Sequence, residues 1–174
     1  MLIKIISQVI NCIGTGLSTI GINLKEKSKI LIFFALGNTC VATSLGLLGA
    51  YSGMIIQIIF VIQAIINFFW EKKNNKYPIW LVITYILVPT IILIINFQTA
   101  WDILPILAGI LFPLALVSNN FTLRLLNLIS VVVWIPYNFY FGQYAGVIGC
   151  TVFTIMNIIA IIRLDVLKKK ERGN

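Results

Sequence analysis

The sequence predicts an all-α integral membrane protein of seven transmembrane helices, arranged 3+1+3 as two parallel three-helix-bundle repeats. Three observations carry that expectation. The composition is strongly apolar, seven apolar runs are separated by short gaps that hold nearly all the basic residues, and a glycine-tyrosine motif returns 93 residues after its first occurrence.

Hydrophobic residues make up 60% of the 174 residues and charged residues 10%, with a mean hydropathy of +1.02. Soluble domains hold roughly 45–50% apolar and about 25% charged residues, so this chain has too little polar surface to cover a water-soluble globule. The net charge of +8 could point to nucleic acid, but the basic residues sit in the gaps between apolar runs and form no stripe. They read as topology determinants, and no nucleic-acid partner is expected. Cys12, Cys40 and Cys150 lie inside apolar runs, where cysteine behaves as a small hydrophobe. The first run carries Lys4 at its start, as a signal peptide would. No small-x-small cleavage site follows before Lys25, Lys27 and Lys29, so it is kept as a span.

The runs fall at residues 3–22, 30–48, 52–70, 78–96, 103–118, 122–141 and 143–162. Backbone polar groups in hydrocarbon must pair within the element, so runs of this length are expected as helices. The fifth is short and bracketed by Pro105 and Pro113. Seven crossings place alternate gaps on opposite sides. One side then receives Lys25, Lys27 and Lys29; Lys72, Lys73 and Lys76; Arg124; and Arg163, Lys168, Lys169, Lys170 and Arg172, leaving Lys4 alone on the other. The positive-inside rule makes that basic side cytoplasmic, with the N-terminus outside and the C-terminus inside.

The second and third runs meet at Gly49-Ala50-Tyr51-Ser52-Gly53, and the sixth and seventh at Gly142-Gln143-Tyr144-Ala145-Gly146. Under the same offset of 93 residues the first run overlies the fifth, and the fourth is left over. Residues 1–70 then form the first bundle, 71–100 the linker helix, 101–165 the second bundle and 166–174 a basic cytoplasmic tail. Both pentads also read GxxxG, which permits close helix packing, although turn geometry explains boundary glycines equally simply. Pro89, Pro113 and Pro136 lie within spans and either hinge or merely shape the bundle.

The chain has no histidine, and Glu26, Glu71, Asp102, Asp165 and Glu171 lie in loops or the tail. No nucleophile-base pair, metal cluster or paired carboxylate can be assembled within the spans, so no enzyme, metal or cofactor is expected. Intramembrane proton relays are absent for the same reason, Asp102 near the outer edge excepted. The spans do carry uncharged polar residues: Gln8, Asn11, Asn38, Gln57, Gln63, Asn67, Asn127, Trp134, Tyr137, Asn138, Thr154 and Asn157. Gln63 and Asn67 share a helix face, as do Trp134 and Asn138. Interhelical hydrogen bonding, worth about 0.6 kcal/mol per contact, accounts for any single one. The cluster of Gln63, Asn67, Trp134, Tyr137, Asn138 and Asn157 points instead to a shared cavity that stacks on and hydrogen-bonds a small polar ring.

The stretch Leu47-Leu48-Gly49-Ala50-Tyr51, the Trp101-Asp102-x-Leu-Pro105 start of the fifth run, Arg124, Trp134-x-x-Tyr137-Asn138 and Ile162-Arg163 resemble the YgjV-like bacterial inner-membrane proteins over about residues 5–165. That family is similar to the PQ-loop group, which includes SWEET sugar transporters and nicotinamide riboside transporters, built from two parallel three-helix bundles and a linker helix. The resemblance implies a solute pocket lined by an Asn on the third helix of each bundle, for which Asn67 and Asn157 are the nearest candidates. Under the 93-residue offset Asn67 falls opposite Ala160, and Asn157 opposite Ala64. The expected activity is transport of an uncharged or zwitterionic small solute, such as a sugar, nucleoside or vitamin-like compound. The alternative is a non-transporting accessory or substrate-binding subunit. The expected partners are the lipid bilayer and the solute, with a homodimer or an unidentified membrane partner left open. On this reading Asn138→Leu or Asn157→Leu abolishes solute binding and leaves folding intact, which a ligand-induced thermal shift on each variant checks.

Overall fold

The computed structural model describes residues 2–73, 77–97 and 99–167, and the regular structure among these residues is helical. The seven α-helices are α1 (Leu2–Ile22), α2 (Lys27–Leu47), α3 (Tyr51–Lys72), α4 (Ile79–Ile95), α5 (Ile103–Val117), α6 (Asn120–Tyr140) and α7 (Tyr144–Ala160). A 3-10 turn, Ala100–Asp102, precedes α5, and a π-helical stretch, Ile161–Leu167, continues α7. Six helices are long and apolar enough to cross a membrane. Two of the six owe their length to flanking turns, α5 to the 3-10 turn before it and α7 to its extension; α4 has 17 residues, and at 1.5 Å per residue reaches about 25 Å, against a hydrocarbon core of about 30 Å. Lys76 and the expected tail from residue 168 onward lie outside the described residues.

Helix neighbours follow a closed circuit. α1 packs on α2, α2 on α3, α3 on α5, α5 on α6, α6 on α7, and α7 returns to α1, while α4 lies outside against α5 and α3. α1 and α2 approach closely where glycine faces glycine: a Cβ on Gly14 would stand 2.7 Å from the carbonyl oxygen of Gly37. At mid-depth the circuit converges on aromatic rings. Phe60 of α3 stacks on Phe112 of α5 at 4.1 Å between centroids, and Phe34 of α2 lies 6.0 Å from Phe112 and 6.4 Å from Phe153 of α7.

The α2–α3 and α6–α7 turns have one geometry. Gly49 and Gly142 take φ of 77° and 69°, where a side chain would be strained. The Ala50 N–H donates to the Leu45 carbonyl at 3.0 Å and the Gln143 N–H to the Asn138 carbonyl at 2.8 Å, the six-to-one bond of a Schellman end. Ala50 and Gln143 then start the next helix with φ, ψ of −81°, 66° and −86°, 69°. Each pentad therefore divides its glycines. The first makes the turn, whereas the last makes room: a Cβ on Gly53 would meet the Tyr137 ring at 2.7 Å, and one on Gly146 would meet Asn138 at 2.8 Å.

The basic gaps come together at one end. Lys27 pairs with Glu71 at 3.3 Å, and the Tyr77 hydroxyl donates to Glu71 at 2.9 Å. The Asn120 amide reaches the Lys25 carbonyl at 3.0 Å. Arg124, with 1% of its side chain exposed, is the centre of this end. Its Nε donates to the Ile22 carbonyl at 3.1 Å, Nη2 to the Leu24 carbonyl at 2.8 Å, and Nη1 to both carboxylate oxygens of Asp165 at 3.0 and 2.8 Å. One guanidinium thus joins the end of α1, the start of α6 and the extension of α7.

Removing one partner of a buried pair typically costs about 3–5 kcal/mol, because it strands the other charge. Arg124→Ala is therefore expected to lower the stability of the detergent-purified protein by about that amount, measured by reversible denaturation. Asp165→Asn, whose side chain is 16% exposed, is expected to cost less. Equal stability of Arg124→Ala and the parent would refute this account of the basic end.

Candidate functional site

Inside the circuit lies a cavity of about 80 Å³ whose walls come from α1, α2, α3, α5, α6 and α7. α4 contributes nothing to it. One set of wall residues is amide: Asn11, Asn38, Gln57, Asn127 and Asn138. Another is aromatic: Phe34, Phe60, Phe112, Trp134 and Phe153. Thr15, Ser18, Ser130 and the Cys150 thiol complete the polar lining. No acidic or basic side chain stands on this wall.

The amides are incompletely paired. Asn11 donates through Nδ2 to Ser44 Oγ at 3.4 Å, and Asn138 through Nδ2 to Cys150 Sγ at 3.6 Å. Asn11 Oδ1, Gln57 Oε1, Asn138 Oδ1, Asn38 Nδ2 and Asn127 Nδ2 have no hydrogen-bond partner among the described residues. Four of these side chains are more than nine-tenths buried: Asn11, Gln57, Asn127 and Asn138. A buried donor or acceptor left unmade costs roughly 1–3 kcal/mol. Five on one wall therefore favour whatever polar molecule enters the cavity and pairs with them.

The six residues expected at a solute site divide by position. Trp134 and Asn138, one turn apart on α6, both stand on the cavity wall. Tyr137 packs its ring on Trp134 edge-on at 5.4 Å but turns its hydroxyl toward the charge-poor end. There the Gly53 N–H donates to the Tyr137 oxygen at 2.8 Å, Tyr137 and Ser52 share a hydrogen bond at 2.8 Å, and the Ser52 hydroxyl donates to Asp102. With one proton per hydroxyl, and Ser52's given to Asp102, Tyr137 is the donor to Ser52. The chain ties α3, α6 and the 3-10 turn together.

Gln63, Asn67 and Asn157 are off the wall. Gln63 Nε2 donates to the Tyr85 carbonyl at 3.0 Å, clamping α3 to α4, and Asn67 Nδ2 donates to the Gln63 carbonyl at 2.7 Å within α3. Asn157 Nδ2 donates to the Arg124 carbonyl at 2.8 Å, fastening α7 to α6. The shared face of Gln63 and Asn67 is real, but it looks toward α4. Four wall amides, Asn11, Asn38, Gln57 and Asn127, fall outside the set expected from spacing. Asn11 with Thr15, and Asn127 with Ser130, stand one helical turn apart on the wall, a spacing the sequence carried in hydroxyl residues rather than amides; Asn38 and Gln57 have only apolar wall residues one turn away.

The three comparisons with known proteins bear on membership alone. A family model described as a bacterial inner membrane protein, Imp-YgjV, matches residues 5–168. No curated protein and no solved structure matches the chain.

These positions separate two of the expected substitutions. Asn157→Leu removes one net hydrogen bond of about 1 kcal/mol and is expected to lower stability without changing occupancy of the cavity. Asn138→Leu is expected to change occupancy. Thermal melts of both variants, with and without a compound that stabilises the parent, check the distinction.

Proposed function

The chain belongs to the Imp-YgjV family of bacterial inner membrane proteins, and from that premise we propose that it carries a small uncharged or zwitterionic solute across the membrane by alternating access. The observation that carries this reading is the wall of five incompletely paired amides facing aromatic rings inside a membrane bundle. Interhelical glue needs no shared cavity, and water alone needs no aromatic wall. A solute with a polar edge and an apolar face uses both. Sugar, nucleoside and vitamin-like compounds fit that description.

Size bears on the mechanism. Pockets that hold drug-sized ligands measure about 300–1,000 Å³, whereas this cavity measures about 80 Å³. It has room for a few heavy atoms or a small cluster of waters, so a ring-sized solute requires the surrounding helices to part. The 3+1+3 repeat supplies a way to do so, as two bundles rocking about a central site. Its support is geometric. Advancing each of α1 to α3 by four helices turns the neighbour circuit into itself, and the two turns coincide in dihedral angles and hydrogen bonds. Five wall pairs are also related by the 93-residue offset: Phe34 with Asn127, Asn38 with Val131, Val41 with Trp134, Gln57 with Cys150, and Phe60 with Phe153.

Binding is assigned to Asn11, Gln57, Asn127, Trp134 and Asn138. We read the protein as a carrier rather than an enzyme because this wall offers amides, hydroxyls, rings and one thiol. The gathering of basic residues at one end supports an orientation with the N-terminus outside and the C-terminus in the cytoplasm. A fluorescent protein that matures in the cytoplasm, fused to the C-terminus, is expected to fluoresce. A dark fusion with an active periplasmic reporter would reverse the orientation.

A compound that binds the folded state raises its melting temperature by mass action. Screening the purified protein against sugars, nucleosides, vitamins and amino acids is expected to yield one such compound, taken up by proteoliposomes. Asn127→Leu is expected to abolish the shift while leaving the ligand-free protein at least as stable, because it removes an unpaired buried amide. No shift and no uptake from any compound would favour an accessory subunit that acts with a membrane partner.

A further inference from the structure

We infer that Gln143 is the gate residue on the charge-poor side of the cavity, closing a polar route through which solute is exchanged there; this rests on the carrier reading above. Gln143 is fully buried although it belongs to a turn. Its side chain crosses from the α6–α7 turn to α1 and α2. Nε2 donates to Ser44 Oγ and, at 3.5 Å, to the Ser7 carbonyl, while Oε1 lies 3.4 Å from the Ser7 hydroxyl oxygen. Ser44 Oγ also accepts from Asn11 Nδ2 at 3.4 Å, and Asn11 stands on the cavity wall with Oδ1 unpaired. Polar groups therefore run without interruption from the turn, through Ser44 and Asn11, into the cavity.

The opposite end is built differently. Ile22, Leu31, Leu116 and Leu123, near the helix termini of that end, are fully buried and apolar, and Arg124 ties the end with charged bonds. Charge-assisted hydrogen bonds are roughly twice as strong as neutral ones. The neutral contacts of Gln143 can be exchanged for water at lower cost than those of Arg124; the charge-assisted Ser52–Asp102 bond stands at the same end but involves neither Gln143 nor its partners.

The turn itself does not require a glutamine. Ala50 occupies the equivalent position of the α2–α3 turn with dihedral angles within 5° of those of Gln143. The Gln143 side chain is thus free to serve something other than turn formation, and Gln143→Ala has a natural precedent in the same molecule. Gln8 holds the two halves together independently. Its Nε2 donates to the Gly142 carbonyl at 3.0 Å and its Oε1 accepts from the Ala145 N–H at 2.7 Å, so the turn stays anchored when Gln143 is truncated.

Cys150 supplies the reporter, since its thiol lines the cavity. With Cys12→Ser and Cys40→Ser removing the other thiols, the full chain in proteoliposomes is treated with a membrane-impermeant methanethiosulfonate from either face. Gln143→Ala is expected to accelerate labelling of Cys150 from the charge-poor face about tenfold, the change that 1.4 kcal/mol produces. Labelling from the basic face should not change. Ser44→Ala, which removes the acceptor that Gln143 holds, is expected to act in the same direction and covers the case in which Gln143→Ala fails to fold. Unchanged rates in both variants, or equal acceleration from both faces, would overturn the gate. The two readings fail separately. A solute that protects Cys150 alongside unchanged labelling rates leaves the carrier and removes the gate. Face-specific acceleration with no protecting solute and no uptake keeps the gate and removes the carrier.

Discussion

A helix that ends inside a membrane protein leaves carbonyl oxygens without intrahelical partners, and in a medium that offers no water those oxygens must be paired by the protein. At the end of α1 the partner is Arg124, which takes the Ile22 and Leu24 carbonyls and brings a positive charge to the negative end of the helix dipole. The guanidinium can afford full burial because Asp165 neutralises it and every donor nitrogen is engaged. α1 is thereby fixed to α6 and α7 across the closure of the helix circuit. The Asn157 amide then holds α7 to the backbone of Arg124 itself, so the basic end behaves as one knot tied around a single side chain.

The same requirement governs the polar side chains at the other end of the bundle. At the charge-poor end polar side chains are matched: Ser7 and Ser44 donate to each other's carbonyls at 2.9 and 3.0 Å, Gln8 caps α7, and Tyr137 and Ser52 relay to Asp102. At mid-depth five amide atoms are left unmatched around one space, while Gln63 Oε1, Asn67 Oδ1, Asn157 Oδ1, Thr154 Oγ1 and the Tyr85 hydroxyl are unmatched elsewhere in the bundle. What sets the first five apart is the cavity they share.

How much of this was legible in the sequence depends on what each residue answers to. Helix positions were, because a span is set by the length of its own apolar run, and the runs at 30–48 and 122–141 match α2 and α6 to within a few residues. Trp134 and Asn138 were legible because spacing put them on one face and that face is inward. Gln63 and Asn67 had the same spacing and a different neighbour, the Tyr85 carbonyl of α4; periodicity defines a face but does not say which helix lies opposite. Asn157 is committed to a backbone carbonyl 33 residues away, a partner invisible to composition. Arg124 read as one more cytoplasmic charge because its burial is created by the turn at Ile22–Leu24 folding over it.

The two halves share one turn geometry and place their hydrogen-bonding groups at different positions: Asn38, Gln57 and Asn67 of the first stand opposite Val131, Cys150 and Ala160. At the 93-residue offset Leu31 stands where the second half has Arg124, Ala50 where it has Gln143, Leu45 where it has Asn138, Val41 where it has Trp134 and Ala64 where it has Asn157. At each of these positions the first half is apolar and the second carries the hydrogen-bonding group. Arg124 and Gln143 direct theirs across the boundary to α1 and α2, where backbone carbonyls and the small Ser7 and Ser44 receive them. Among the bonds between α1 or α2 and the later helices, those of Arg124 are charge-assisted and those of Gln143 neutral, while the Ser52–Asp102 bond adds a charge-assisted contact from α3 at the charge-poor end.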